Sequence, residues 1–165
     1  MWSSAHLDLP ADMFERGAAF WHAVDPDLDV RRVDDGAGGV RMELHDGAGP
    51  TPRSGLRVGS VVVDVPPEEF DDECTLWVSR TGAELRSFDA HPEYRRVVGL
   101  EGGVGVLLQR LGSGPRGLHL DVAATDRAAE VRRHVTLGAV PGEAFDDWTV
   151  MRDPLGRVYC VVDDH

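Results

Sequence analysis

Lysine, isoleucine and asparagine are missing from all 165 residues, and every one of the 17 basic residues is an arginine. That pattern reads as the coding bias of a GC-rich bacterial genome and not as a physical adaptation. Cysteine occurs only at Cys74 and Cys160, too few for a disulfide framework. Basic side chains are outnumbered by 29 acidic ones, for a net charge of −12. Such a surface repels phosphate backbones and argues against nucleic acid as a partner. Long apolar runs are absent: the longest, such as 61–63 and 104–108, are strand-sized and far below a membrane span. No charged stretch followed by an apolar core opens the chain, so a soluble, cytoplasmic protein is expected, without a membrane partner. G-x-S-x-G, H-E-x-x-H and C-x-x-C do not occur, which removes the hydrolase, zincin and thiol-redox readings.

What is present is repetition. Leu7-Asp8-Leu9-Pro10 leads into a run carrying Phe14 and Trp21, and Val63-Asp64-Val65-Pro66 leads into one carrying Phe70 and Trp77. The Asp, Pro, Phe and Trp pairs are all 56 positions apart. A fainter copy starts at Leu120-Asp121-Val122 and ends at Gly138, again 56 beyond Gly82 after a one-residue slip. Internal repetition of this kind decides how a fold is read.

Each repeat has the form of a strand, a helix and further strands. In the first, residues 5–9 are a strand and 11–24 a helix whose Phe14, Ala18, Trp21 and Val24 make one apolar stripe. In the second, 58–65 is the strand, Pro67, Glu68 and Glu69 start the helix where the dipole favours acids, and the stripe is Phe70, Cys74, Trp77 and Val78. In the third, 118–122 is the strand, Asp126 the N-cap, and Ala128, Val131 and Val135 the stripe, with Gly138 as the stop. Extended runs follow at 28–33 and 40–45, at 84–88, 94–98 and 104–111, and at 148–152 and 157–162, with Val140 weak. Asp153-Pro154-Leu155-Gly156 is a hairpin turn. The expected fold is α+β: tandem βαβββ units whose mixed sheet curls into a cup, with helices outside. Residues 1–48 form a partial βαββ unit, 49–55 a linker, and 56–165 two paired units, 56–114 and 115–165.

Several conspicuous residues have plain structural explanations. Asp8, Asp64 and Asp121 each end a strand and are expected to bond the following turn. Trp21 and Trp77 belong to helical stripes and read as core. Asp71-Asp72-Glu73 and Asp146-Asp147 read as solvated faces or loops. Gly102-Gly103-Val104-Gly105 opens no helix and lacks the setting of a phosphate loop.

The duplicated βαβββ unit, the strand Leu118-His119-Leu120-Asp121-Val122, the helix end Leu137-Gly138-Ala139 and the hairpin from Trp148 to Val162 together resemble the glyoxalase/bleomycin-resistance/dioxygenase superfamily, also called vicinal oxygen chelate. More narrowly, the chain is similar to the glyoxalase-like proteins of high-GC bacteria, over 57–162 well and over the first repeat loosely. The resemblance implies metal ligands on the first and last strand of each unit, a placement that falls here on Val62, His119, Gln109 and Cys160. Val62 cannot ligate and Gln109 is a weak neutral ligand, where metal-dependent members usually present Glu. His119, Gln109 and Cys160, with His6 at the equivalent position of the first repeat, remain as weak metal candidates.

The leading expectation is therefore a protein that binds a small apolar or aromatic molecule without a metal or other cofactor, in a cup lined by His119, Gln109, Cys160, Tyr94, Phe88, Trp148 and Met151. A metal-dependent lyase or isomerase of the glyoxalase kind is the second reading, and a degenerate assembly module the third. The stripe Phe14, Trp21 and Val24 needs cover, either from its own chain or, preferentially, from a second copy in a two-fold homodimer.

Overall fold

The computed structural model describes residues 4–26, 28–34, 39–45, 56–100 and 105–164. The first repeat gives β1 (Ser4–Pro10), α1 (Phe14–Val24), β2 (Asp29–Asp34) and β3 (Gly39–His45). The second gives β4 (Leu56–Val65), α2 (Phe70–Thr81), β5 (Glu84–Ser87), β6 (Tyr94–Val98) and β7 (Gly105–Arg110). The third gives β8 (Gly117–Ala124), α3 (Arg127–Thr136), β9 (Val140–Ala144), β10 (Trp148–Arg152) and β11 (Val158–Asp163). A linker over 49–55 and the glycine cluster at 102–104 lie outside the described residues.

Local chemistry sets the element ends. Pro67 opens the 3-10 turn before α2, where its missing N–H costs nothing. Gly82 ends α2 at φ 69, a left-handed conformation that favours glycine, and its N–H bonds the Val78 carbonyl at 2.9 Å. Asp126 caps α3 by accepting from the Ala129 N–H at 2.9 Å. In the turn between β10 and β11, one carboxylate oxygen of buried Asp153 accepts from the N–H groups of Leu155 (2.8 Å) and Arg157 (2.9 Å). That locks the hairpin register and with it the face each β11 side chain occupies.

The sheets follow from the repeats. Strands of the second and third units form one eight-stranded mixed sheet in the order β5-β6-β7-β4-β8-β11-β10-β9. At its centre β4 and β8, the opening strands of the two units, run antiparallel with Val62 opposite His119. Each also pairs in parallel with the last strand of its own unit, β7 and β11 respectively. The sheet is curled and unclosed, an α+β arrangement with helices on its outer face. The shortened first unit makes a separate three-stranded sheet, β1-β3-β2.

The outer face is buried in two clusters. Under α2, Phe70 packs with Val63, Val65, Val97, Val106 and Leu108. The larger cluster joins Phe14, Ala18, Phe20, Trp21 and Val24 of α1 to Leu120, Val122, Met151, Tyr159 and Val161 of the third unit. The α1 stripe is thus covered within its own chain, so the burial argument for a second copy lapses. Two further ties hold α1 there. Arg133 on α3 donates at 2.7 Å to the carbonyls of both Ala23 and Val24, satisfying the open C-terminal end of α1. Gly17 faces the β10–β11 turn so closely that an added Cβ would lie 2.9 Å from Leu155 Cδ1.

Helix α3 departs from the expected stripe. His134, not Val135, is fully buried, while Val135 is 43% exposed. Both follow Val131 at helical spacing, and the position that wins is the one that meets Tyr159: His134 Nδ1 and the Tyr159 hydroxyl share a 2.9 Å hydrogen bond. Burial, helped by the charge of Arg133, pushes His134 down to about 4. In α2, Val78 likewise turns to solvent and Trp77 is only half-buried, its Nε1 donating to Glu73. Glu73 itself is not a solvated acid, because Arg116 clamps it together with Glu69. No helix among the described residues is long and apolar enough to cross a membrane.

Candidate functional site

Strand alternation sends every second side chain of the central strands away from the helices. On β4 these are Val62 and Asp64, on β8 His119 and Asp121, on β11 Val158, Cys160 and Val162. They line a cavity of about 490 Å³ on the inner face of the curl. Tyr94 and Arg96 enter from β6, Leu107 and Gln109 from β7, and Trp148 and Val150 from β10. Phe88, His91, Phe145 and Asp147 form part of its wall from the connecting segments. Phe145 and Trp148 stack with ring centroids 4.6 Å apart.

Of the residues singled out from the sequence, His119, Gln109, Cys160, Tyr94, Phe88 and Trp148 stand around this cavity. Met151 does not. It is fully buried in the cluster beneath α1, because β10 alternates and Trp148 and Met151 are three residues apart, on opposite faces. The side chain of His6 lies outside the described residues.

The floor is polar and internally bonded. His119 Nδ1 lies 2.9 Å from Asp64 Oδ2. Its Nε2 is 3.6 Å from Asp121 Oδ1, an ion-pair distance too long for a hydrogen bond. Burial pulls His119 toward its neutral form, but hydrogen bonds to Asp64 and Cys160 with the adjoining negative charge outweigh it and push the imidazolium up to about 10. Asp121 rises to about 6, through burial first and Asp64 next, against the opposing pull of His119 and Arg96. Tyr94 is pushed up to about 12 by burial and by the neighbouring charges, Glu93 foremost.

The carboxylates Asp64 and Asp121 are the residues that the sequence reading misplaced. Both were expected to bond a turn backbone, yet both sit within the strands and face the cavity. The signal for them was parity: Asp64 is two residues beyond Val62, and Asp121 two beyond His119, so each shares its predecessor's face. Asp147 lies in the β9–β10 connection with 49% of its side chain exposed, as expected of a solvated loop acid, while bordering the cavity with its Oδ2 3.6 Å from His91 Nε2. The Asp8 side chain lies outside the described residues.

A divalent ion of the kind the superfamily resemblance implies finds a poor ligand set here. Val62 offers no donor, Gln109 is neutral, and His119 Nδ1 is already engaged by Asp64. The nearest grouping of donors is His119, Asp121 and Cys160, with ligating atoms within 4.8 Å of one another. All three come from the third unit, whereas the superfamily pattern draws on both. As it stands, the floor is a charge-paired hydrogen-bond cluster and does not fit the four-position site.

A family model described as glyoxalase-like domain matches residues 60–162. No curated protein matches the chain. Among solved structures, the hypothetical protein BH1468 from Bacillus halodurans C-125 is similar at 11% identity, covering 67% of this chain and 95% of that one, with a TM-score of 0.46. A glyoxalase/bleomycin resistance protein/dioxygenase superfamily member from Vibrio splendidus 12B01 is 16% identical over 67% of this chain and 99% of that one, TM-score 0.43. TnmS3, an antibiotic binding protein from Streptomyces sp. CB03234, is 17% identical over 63% and 93%, TM-score 0.26.

Proposed function

The chain belongs to the glyoxalase-like domain family, and we propose that its cup binds a small apolar or aromatic molecule without the metal ion of the superfamily's enzymes. The observation that carries this reading is the cavity itself. Its volume of about 490 Å³ falls in the range of small-molecule sites, which are mostly apolar with a few orienting polar groups. Phe88, Tyr94, Phe145 and Trp148 supply flat apolar surface, and Val62, Leu107, Val150 and Val158 fill between them. The polar floor of Asp64, His119, Asp121 and Gln109 would orient one end of a guest. In this reading residues 56–165 are the working module in the cytoplasm, and 1–48 brace its outer face.

The experiment is a binding screen of flat aromatic compounds, read by the fluorescence of Trp148 and checked against Trp148→Phe, on protein purified without chelator or affinity metal. Saturable binding by metal-free protein is expected. Failure of every compound to bind, with the fold intact, would overturn the reading. A second reading, a metal-dependent lyase or isomerase, draws support from the clustering of His119, Asp121 and Cys160. Stoichiometric zinc, nickel, manganese or iron by elemental analysis would put that reading first.

A further inference from the structure

Cys160 stands in the floor of the cup, in a register that sets it beside Asp121 on the parallel strand β8. His119 is two residues before Asp121 on the same face. Asp64 holds Nδ1, Nε2 lies 3.6 Å from Asp121 Oδ1, and the Cys160 sulfur lies within 4.8 Å of a ring nitrogen of His119 and of an Asp121 oxygen. A carboxylate bonded to an imidazole and a thiol close to the same ring is the arrangement that orients a base and activates a nucleophile. An imidazolium is also the counter-charge that a thiolate needs. The cavity that holds the sulfur is lined by four carboxylates, Asp64, Asp121, Asp147 and Asp163, and by the basic side chains of Arg96, His91 and His119. Neither the apolar walls nor the binding of an inert guest needs this constellation.

We propose that Cys160 is a nucleophile, assisted by His119 as its base with Asp64 positioning that ring, that captures small apolar molecules carrying an α,β-unsaturated carbonyl group. The proposal rests on the reading of the cup as a small-molecule site and names the chemistry of its guest. Sulfur is soft and polarisable, which suits a soft carbon electrophile. In the step, an Sγ–C bond forms at the β-carbon and the π pair of the C=C bond shifts to give an enolate. The proton that left the thiol for His119 then passes to the α-carbon. The net change is addition of S–H across the double bond, with no oxidant or reductant. Arg96 and the Tyr94 hydroxyl, which border the same cavity, are the donors available to the enolate oxygen.

The test uses N-phenylmaleimide, an aromatic compound of this class, with mass spectrometry and peptide mapping on the intact chain. Cys74 is the internal reference: it is half-buried on α2, away from the cup, and burial raises its thiol. Cys160 is expected to be labelled at least about a hundredfold faster than Cys74, the lower end of what an assisting acid–base partner supplies. Asp64→Asn should slow the reaction and displace its pH profile, and His119→Ala should abolish the advantage. N-phenylsuccinimide has the same shape without the electrophile, so its quenching of Trp148 in wild type and in Cys160→Ser reports the cup alone. If the succinimide binds and Cys160 is labelled no faster than Cys74, the nucleophile is overturned and the cup reading stands. If Cys160 reacts quickly but equally in Asp64→Asn and His119→Ala, activation by the pair is overturned. Neither binding nor preferential labelling would sink both.

Discussion

His119 Nδ1 and Asp64 Oδ2, 2.9 Å apart, join the opening strands of two repeats across the centre of the sheet. The bond spans the seam on which the cup is built, so its strength is felt by fold and site together. Because His119 is raised from its unfolded value near 6.5 to about 10, it contributes stability that is fully present below pH 6.5 and is lost as pH rises through 10. Asp64→Asn should cost about 2 kcal/mol at pH 7, the scale of a hydrogen bond to a charged group. Urea denaturation at pH 7 and pH 10.5 should show the gap between wild type and variant closing at the higher pH. A gap independent of pH would contradict the assignment.

His134 predicts the opposite slope. Buried and neutral, it is lowered to about 4, so the unfolded chain takes up the proton first as pH falls. Its contribution is present above pH 6.5 and is lost progressively between 6.5 and 4. Stability measured at pH 7 and pH 5 should fall more steeply in wild type than in His134→Gln, which has no ring to protonate. Parallel curves would refute this account.

Trp21 is 2% exposed, and its ring meets Tyr159 edge-on at 5.4 Å. Trp21→Ala should destabilise by about 3–5 kcal/mol, as for other large-to-small changes in a core. Removing residues 1–48 should expose Met151 and Tyr159 and lead to aggregation. Light scattering would check this, and a soluble truncated protein with an unchanged melting temperature would show that α1 is dispensable.

Val62 faces His119 across the β4–β8 pair, and Gln109 faces Asp64 on the β4–β7 pair. The double substitution Val62→His with Gln109→Glu restores donors at both positions where the resemblance places ligands. Titration calorimetry with manganese or zinc should show a stoichiometric site in the variant that binds at least about tenfold tighter than in wild type, a difference of about 1.4 kcal/mol. Equal affinities would mean that these positions do not converge as the register implies.

Much of the fold could be read from residues alone. The 56-residue offset, the apolar stripes and the turn signals are local, and the strands and helices of all three repeats form close to where those signals fall. Asp126 as a cap and Gly138 as a helix stop depend on backbone groups only a few residues away. That Gln109, His119 and Cys160 border one cavity followed from where the superfamily resemblance placed them on β7, β8 and β11. Met151 was misread where that alternation was not carried through β10.

Tertiary structure decided the remainder, for reasons no local window contains. The sequence by itself determined which residues of each strand share a face, since the period of two is a property of the extended backbone. It left open what each face would meet. Whether α1 is covered by its own chain depends on Tyr159 and Met151, more than a hundred residues away. The pairing of Asp64 with His119 depends on the register of two strands from different repeats, which one residue of slip would abolish. The choice of His134 over Val135 on α3 rests on a single hydroxyl from β11. Alternation is written along the chain, whereas the partner across each gap is fixed only when the sheet closes and each buried polar group must find its bond.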